Sequence, residues 1–92
     1  EDARRVLDQK RRQDAIYLLE AAAWLDEASP LPHQYLANVF AMNGNLMLAL
    51  RQMRLALDRD PGNQLYERNL QSLRRALTRR GQRRMQLPDE LP

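Results

Sequence analysis

Residues 30 to 63, PLPHQYLANVFAMNGNLMLALRQMRLALDRDPGN, form a stretch of 34 residues that predicts the fold. Apolar and small residues recur in it at helical spacing: Leu36, Ala37, Phe40, Ala49, Met53 and Ala56. Gly44-Asn45 interrupts this pattern in the middle, and Asp60-Pro61 ends it. The stretch therefore predicts two antiparallel helices that are joined by a short turn.

The order and spacing of these residues resemble the tetratricopeptide repeat, a helix–turn–helix unit of 34 residues. Three positions depart from its signature: His33 stands for the opening Trp, Ala37 for a Gly, and Met53 for the second aromatic residue. Each substitution keeps a small residue small or a larger residue moderately bulky. The resemblance implies an all-α fold in which helical hairpins stack into a right-handed solenoid. It implies a scaffold that binds other proteins, and it identifies no ligand.

Residues 1–29 resemble an earlier repeat that lacks the start of its first helix. Projected by one period, Ala3, Val6, Ala15, Leu19 and Ala22 fall where Ala37, Phe40, Ala49, Met53 and Ala56 stand. This alignment places a hairpin turn near residues 10–12, which is the interpretation we favour. No Gly marks that turn, so one continuous helix over residues 2–27 is the alternative.

The segment 13–27 is apolar on more than one side, because Tyr17, Ala21 and Trp24 form a second stripe beside Ala15, Leu19 and Ala22. In a stacked array the second helix of a hairpin touches two neighbours, which favours burial of Tyr17 and Trp24. The alternative is that Tyr17, Ala21 and Trp24 form an exposed face for a partner or for a second copy of the chain.

Three further helices are predicted after Ser29. The first runs from Leu31 or Pro32 to residue 43, and the second covers residues 46–59. Gly44 is expected at a positive φ with Asn45 as the N-cap of the second helix, and Asn63 is expected to cap the third. The third, residues 64–81, has one apolar stripe and a polar back, as a terminal capping helix requires. Residues 82–92 are short, polar and interrupted by Pro, which predicts a flexible tail.

Composition narrows the class of protein. With 92 residues and 43% apolar residues, the chain predicts one small domain, residues 1–81. It has no Cys, no run of about 18 apolar residues and a charged start, so we expect no disulfide, membrane span or signal peptide. These features favour the cytoplasm, with a fragment of an envelope-associated protein as the alternative. Fourteen of the fifteen basic residues are Arg, which indicates a G+C-rich, bacterial genome.

The sequence predicts no enzyme, no cofactor and no metal site. His33 is the only His and stands where the family has a packing aromatic residue, which favours a structural or surface role. The turn glycines lack the spacing of a phosphate-binding loop. Clusters of His, Cys or carboxylates at metal-ligand spacing are lacking as well.

The resemblance implies a peptide-binding groove formed by the first helix of each hairpin. Its residues here are Gln34, Tyr35, Asn38, Ala41, Met42, Arg68, Asn69, Ser72 and Arg75. One branch of the family grips a C-terminal carboxylate with two Asn and several cations. Asn38 and Asn69 match those two Asn, but Gln34 stands where the clamp has its first Lys, and the third repeat is missing.

The strongest charge feature is a run of arginines near the C-terminus, namely Arg68, Arg74, Arg75, Arg79, Arg80, Arg83 and Arg84. A solvated capping helix is the interpretation we favour, because cations near a helix C-terminus are stabilised by the helix dipole. An acidic protein partner is the second possibility. Nucleic acid or an anionic membrane surface is the third, weakened by the lack of interleaved aromatic residues.

Taken together, these patterns predict about five helices in roughly two and a half hairpins. Repeat arrays usually need about three units, so we expect the chain to dimerise, to bind a partner constitutively, or to be part of a longer array. The predicted function is an adaptor, scaffold or small chaperone that binds a peptide or helix in the groove. The alternatives are self-assembly through the face of Tyr17 and Trp24, and an Arg-rich binder of nucleic acid or lipid.

Overall fold

The computed structural model describes the backbone of residues 2–86 and the side chains of residues 2–82. This part of the chain is all-α and contains four helices: α1 (Asp2–Leu25), α2 (Leu31–Met42), α3 (Leu46–Arg59) and α4 (Gln64–Gln86). Each helix packs against the next one along the chain. The result is a slab of 54 × 40 × 17 Å, thin enough for two layers of helices whose diameter is about 10 Å.

The central hairpin, α2 and α3, has the predicted boundaries within one residue. Gly44 adopts a φ of 79°, and the N–H of Asn45 donates to the carbonyl of Phe40 at 2.8 Å, which closes the end of α2. The side chain of Asn45 then accepts from the N–H of Leu48 at 3.4 Å and caps α3. Asn63 caps α4 in the same way, with its Oδ1 accepting from the N–H of Tyr66 at 3.1 Å. Both predicted caps are confirmed.

The core lies where α3 packs between α2 and α4. Its buried residues are Leu36, Ala37, Ala49, Met53, Ala56, Tyr66 and Leu70. The alanines on α2 and α3 are almost completely covered, so the helix backbones approach closely at these positions. Met53, itself 1% exposed, occupies the space among them because its unbranched side chain adapts to irregular gaps. Leu50, Leu57 and Leu73 are partly buried against this cluster.

The favoured hairpin in residues 1–29 is wrong, because α1 is one continuous helix from Asp2 to Leu25. Every residue of this helix is a good or acceptable helix former, and no Gly or Pro interrupts the backbone hydrogen bonds. The five expected helices are therefore four in residues 2–86. Arg59 fixes the connection that follows α1, since its Nε donates to the carbonyl of Glu27 at 2.7 Å.

The expected burial of Tyr17 and Trp24 is also wrong. Helix α1 buries no residue fully and packs on α2 through one half-buried stripe, Arg12, Ala15, Ile16, Leu19, Ala22 and Ala23. Tyr17 is 73% exposed and Trp24 is 83% exposed. The second apolar stripe of α1 therefore faces solvent, as in the alternative interpretation.

Helix α4 continues past its expected end at Gly81, and residues 82–86 of the predicted tail are helical. Gly81 has no positive φ, and no side chain of a neighbouring helix competes for its place. Next to Gly81, the guanidinium of Arg80 donates to the carbonyl of Gly44 at 2.8 Å. The remaining residues of the predicted tail, 87–92, lie outside the described residues. Between residues 2 and 86, no helix combines the length and the apolar character that crossing a bilayer requires.

Candidate functional site

A shallow groove runs between α2 and α4, with α3 as its floor. Its volume is about 190 Å³, and its lining residues are Ala37, Asn38, Ala41, Met53, Asn69, Ser72 and Leu73. The small residues Ala37 and Ala41 keep the wall formed by α2 low. Met53 of α3 is almost fully covered and closes the bottom of the groove, while the half-buried Ala41 and Leu73 supply its apolar surface. The groove therefore offers an apolar strip with polar groups at its edges.

The polar groups come from two helices. Asn38 on α2 is exposed, whereas Asn69 on α4 is half-buried and Ser72 is exposed. Each Asn side chain carries one carbonyl acceptor and two amide donors, which match the N–H and C=O of a peptide backbone. The structure thus brings together four of the nine predicted groove residues, namely Asn38, Ala41, Asn69 and Ser72.

Gln34 and Tyr66 join the two walls one helical turn before the groove. The hydroxyl of Tyr66 donates to Oε1 of Gln34 at 3.0 Å, so the Gln34 side chain binds α4. Burial raises the pKa of the Tyr66 hydroxyl, and the nearby carboxylate of Asp60 and Tyr35 raise it further. The phenol stays protonated at neutral pH and remains a hydrogen-bond donor.

The other predicted groove residues lie outside the lining. Met42 borders a separate depression, of about 430 Å³, together with Gln9, Arg12, Gln13 and Asn43 at the crossing of α1 and α2. Tyr35 is half-exposed, at 51%. Arg68 and Arg75 are exposed, and with Ser72 they follow one line along α4 at helical spacing. They lie next to the groove and give one wall positive charge.

The arginines of the predicted basic patch lie on more than one side of α4. Arg68, Arg75 and Arg79 follow each other at i, i+7 and i+11 and are exposed, so they form one stripe that we call the arginine stripe. Arg80 points elsewhere, because its guanidinium binds the turn between α2 and α3. Arg74 is exposed beside the stripe. The side chains of Arg83 and Arg84 lie outside the described residues.

His33 is 8% exposed and contacts α3. Its Nδ1 lies 2.8 Å from Oε1 of Gln52, and an amide oxygen accepts only, so this contact requires the proton on Nδ1. The contact agrees with a structural role. Sequence reasoning missed Gln52, although its position between Ala49, Met53 and Ala56 on one helix face signalled a partly buried polar group. Across the described residues, no group of three His, Cys, Asp or Glu side chains is placed to hold a metal ion.

Comparison of the chain with protein-family models, with curated proteins and with solved structures gives no match. The features that bear on a function are therefore the groove, the arginine stripe and the exposed face of α1.

Proposed function

We propose that the protein is a non-catalytic interaction module that binds a peptide or a helix of a partner protein in the groove between α2 and α4. In this role it serves as an adaptor, a scaffold or a small chaperone. The observation that carries the proposal is the convergence of Asn38 and Asn69, from helices 31 residues apart in sequence, on one groove with an apolar floor.

The dimensions of the groove support an extended ligand. It is shallow and open, with polar groups at its edges, and it lacks the enclosed shape of the pockets that bury most of a small molecule. An extended segment exposes its own N–H and C=O groups, which the two Asn amides are able to pair. Small apolar side chains of the ligand would then contact the partly exposed Ala41 and Leu73.

Charge favours a ligand with acidic residues. Helix α2 contains no Asp, Glu, Lys or Arg, while the adjacent wall of α4 carries Arg68 and Arg75. Guanidinium groups bind carboxylates through paired hydrogen bonds. These arginines are exposed and hydrated, so they contribute more to the rate of association and to the choice of partner than to affinity.

The arrangement of α2, α3 and α4 is compatible with a tetratricopeptide-like array, which remains part of the proposal. The contacts from Gln34 to Tyr66, and around the groove from Asn38 to Asn69, follow a spacing of 31 to 32 residues. This constant spacing means that α2 and α4 run in the same direction, as the first helices of successive repeats do. Helix α4 then has the place of a capping helix.

The test uses an arrayed library of extended peptides, half of them with acidic residues, probed with the wild type and with the double variant Asn38→Ala, Asn69→Ala. We expect the wild type to retain a subset rich in acidic residues and the variant to lose that subset. The matched control is Asn43→Ala with Gln71→Ala, which removes two exposed amides outside the groove. Equal retention by the wild type and the groove variant would exclude this site.

The arginine stripe supports a second candidate function, binding to the phosphates of nucleic acid or of an anionic lipid surface. Its three guanidinium groups lie on one exposed line of α4, and such contacts lose affinity steeply as salt rises. Charge reversal at Arg75 and Arg79 should abolish binding to single-stranded RNA or to phosphatidylserine vesicles, whereas reversal at Arg51 and Arg54 on α3 is the control. Binding that survives high salt would speak against this candidate.

A further inference from the structure

The exposed face of α1 has a pattern that a groove-binding function does not explain. Six of the eleven large hydrophobic side chains that are exposed in residues 2–82 belong to this helix: Val6, Leu7, Tyr17, Leu18, Trp24 and Leu25. Helix α1 has 24 residues, a length of about 36 Å, whereas α2 has 12 residues and covers about half of it. All residues from Asp2 to Arg11 are exposed. Within the described part of the chain, one side of α1 therefore has nothing packed on it along the whole helix.

Positions on this side alternate at spacings of four and three residues. They are Ala3, Leu7, Lys10, Asp14, Tyr17, Ala21 and Trp24, and all seven are exposed. This spacing is the seam of a two-helix coiled coil, in which such positions meet a partner helix along its length. We call these seven residues the α1 seam. Its two middle positions hold opposite charges, and its outer positions are small or apolar.

We infer that two copies of the chain associate through the α1 seam as an antiparallel, two-fold symmetric helix pair. In such a pair, a two-fold axis level with residue 12 places residues opposite each other whose numbers add up to 24. Lys10 then faces Asp14 of the second copy, Leu7 faces Tyr17, and Ala3 faces Ala21. By symmetry each contact occurs twice, as an isologous interface requires.

Charge selects the antiparallel orientation. In a parallel pair, Lys10 would face Lys10 and Asp14 would face Asp14, and like charges at the centre of a helix pair disfavour association. In the antiparallel pair both central contacts join a cation to a carboxylate. Lys10 is the only Lys of the chain, and its ammonium is placed at the one level of the seam where the opposite helix presents an acid.

The uncharged positions agree with the same register. Tyr17 meets Leu7 and Ala21 meets Ala3, so neither of these layers places a charged side chain against an apolar one. Trp24 lies one layer beyond Ala21 and reaches the first turn of the second copy. It is the only Trp of the chain and 83% exposed in the single copy, so its fluorescence reports on the contact.

The first experiment is sedimentation equilibrium across micromolar to high-micromolar concentrations. We expect the wild type to form a dimer, with a concentration-dependent blue shift of the Trp24 emission. Lys10→Glu places two carboxylates at each central contact, and Asp14→Lys places two ammonium groups there, so each variant should dimerise about tenfold more weakly or worse. Arg51→Glu and Asp58→Lys change the net charge by the same amounts on the exposed side of α3 and are the controls.

Charge restoration tests the register. The double variant Lys10→Glu, Asp14→Lys regains both contacts with reversed sign and should dimerise like the wild type. An equimolar mixture of the two single variants should form a heterodimer. In it, the carboxylate introduced at position 10 of one chain meets the ammonium introduced at position 14 of the other, and the native Asp14 meets the native Lys10. Helix content by circular dichroism should be the same for all variants, since both positions are exposed.

Cross-linking tests the orientation, because the chain has no Cys of its own. A mixture of Ala3→Cys with Ala21→Cys chains should form a disulfide between the two, while Ala21→Cys alone should not, since these positions lie about 27 Å apart along the antiparallel pair. A wild type that stays monomeric at high concentration would overturn the inference. So would a dimer that is insensitive to Lys10→Glu and Asp14→Lys, or capture of another protein by a monomeric wild type through Tyr17 and Trp24.

Discussion

The hydroxyl of Tyr66 donates a hydrogen bond to Oε1 of Gln34 over 3.0 Å, and this bond joins the two walls of the groove. Gln34 lies in the first turn of α2 and Tyr66 in the first turn of α4, so the two side chains meet at the end of the groove where both helices begin. The bond fixes their spacing, because Tyr66 is buried among Ala37, Met53 and Ala56 and has little freedom to move. The bond between Tyr66 and Gln34 therefore sets the distance between the two walls at this end of the groove.

Replacement of Tyr66 by Phe should keep the packing and remove this bond. We expect a loss of about 1 kcal/mol in the free energy of unfolding, which is the usual net contribution of one neutral hydrogen bond. Urea denaturation followed by circular dichroism, at a fixed protein concentration, measures the loss. Tyr35→Phe alters a half-exposed hydroxyl and is the matched control. A loss for Tyr66→Phe that is no larger than the loss for Tyr35→Phe would contradict the prediction.

The stability of the fold should fall in alkaline solution because of Tyr66. Its pKa is raised in the folded chain, mainly by burial and then by Asp60, so the folded state holds this proton more tightly than the unfolded state does. The resulting stability is fully present below the ordinary Tyr pKa of about 10 and is lost as the pH rises through the folded pKa. The difference in tyrosinate absorbance between the wild type and Tyr66→Phe isolates the ionisation of Tyr66, which should lie above the ordinary Tyr range. Ionisation of Tyr66 within the ordinary range would contradict the prediction.

Replacing Gly44 by Ala and replacing Gly81 by Ala should change the stability of the fold in opposite directions. Gly44 ends α2 at a φ of 79°, where a side chain is strained although the space around it is open. We expect Gly44→Ala to cost about 1 kcal/mol. Gly81 lies inside α4 without a positive φ and with open space around it, so Gly81→Ala should add up to about 1 kcal/mol by favouring the helix. Thermal unfolding of both variants gives the comparison, and a stabilising Gly44→Ala would disprove the proposed role of this turn.

Met53 should account for a large part of the core energy. Its side chain is 1% exposed at the floor of the groove, so Met53→Ala leaves a cavity and should cost about 2 to 5 kcal/mol. Met47 on the same helix is 65% exposed, and Met47→Ala should change stability by less than about 0.5 kcal/mol. Urea denaturation distinguishes the two. Similar losses for both would mean that α3 does not form the core.

Much of the central hairpin follows from local sequence signals. Pro30 and Pro32 set the start of α2, Gly44 supplies the positive φ, and Asn45 and Asn63 supply the caps. Each of these effects acts within about four residues, because a helix cap joins near neighbours in the chain, so a single sequence contains the information. The apolar spacing in α3 and α4 also predicted correctly which side of each helix faces the core.

The two incorrect predictions from the sequence concern α1 and the end of α4. A projected repeat suggested a turn in residues 10–12, but the local helix preference was uninterrupted and no described helix packs on residues 2–11 to favour a bend. Gly81 was expected to end α4, yet α4 continues past it, and the Arg80 side chain binds the turn between α2 and α3 at Gly44. In both places the helix continues through the position at which the sequence pattern predicted a break.

The sequence by itself determined the class of fold, the hairpin and its caps, because helix propensity, apolar period and capping act between near neighbours in the chain. Only the tertiary structure decided which polar residues meet. The pairing of Gln34 with Tyr66 joins residues 32 positions apart, and His33 finds Gln52 across 19 positions. The packing of α2 and α4 against the small residues of α3 sets these distances, since it fixes how closely the helices approach and at which rotation. The packing of α1 on α2 through its opposite side leaves the α1 seam uncovered, a choice between burial and exposure that local sequence alone left open.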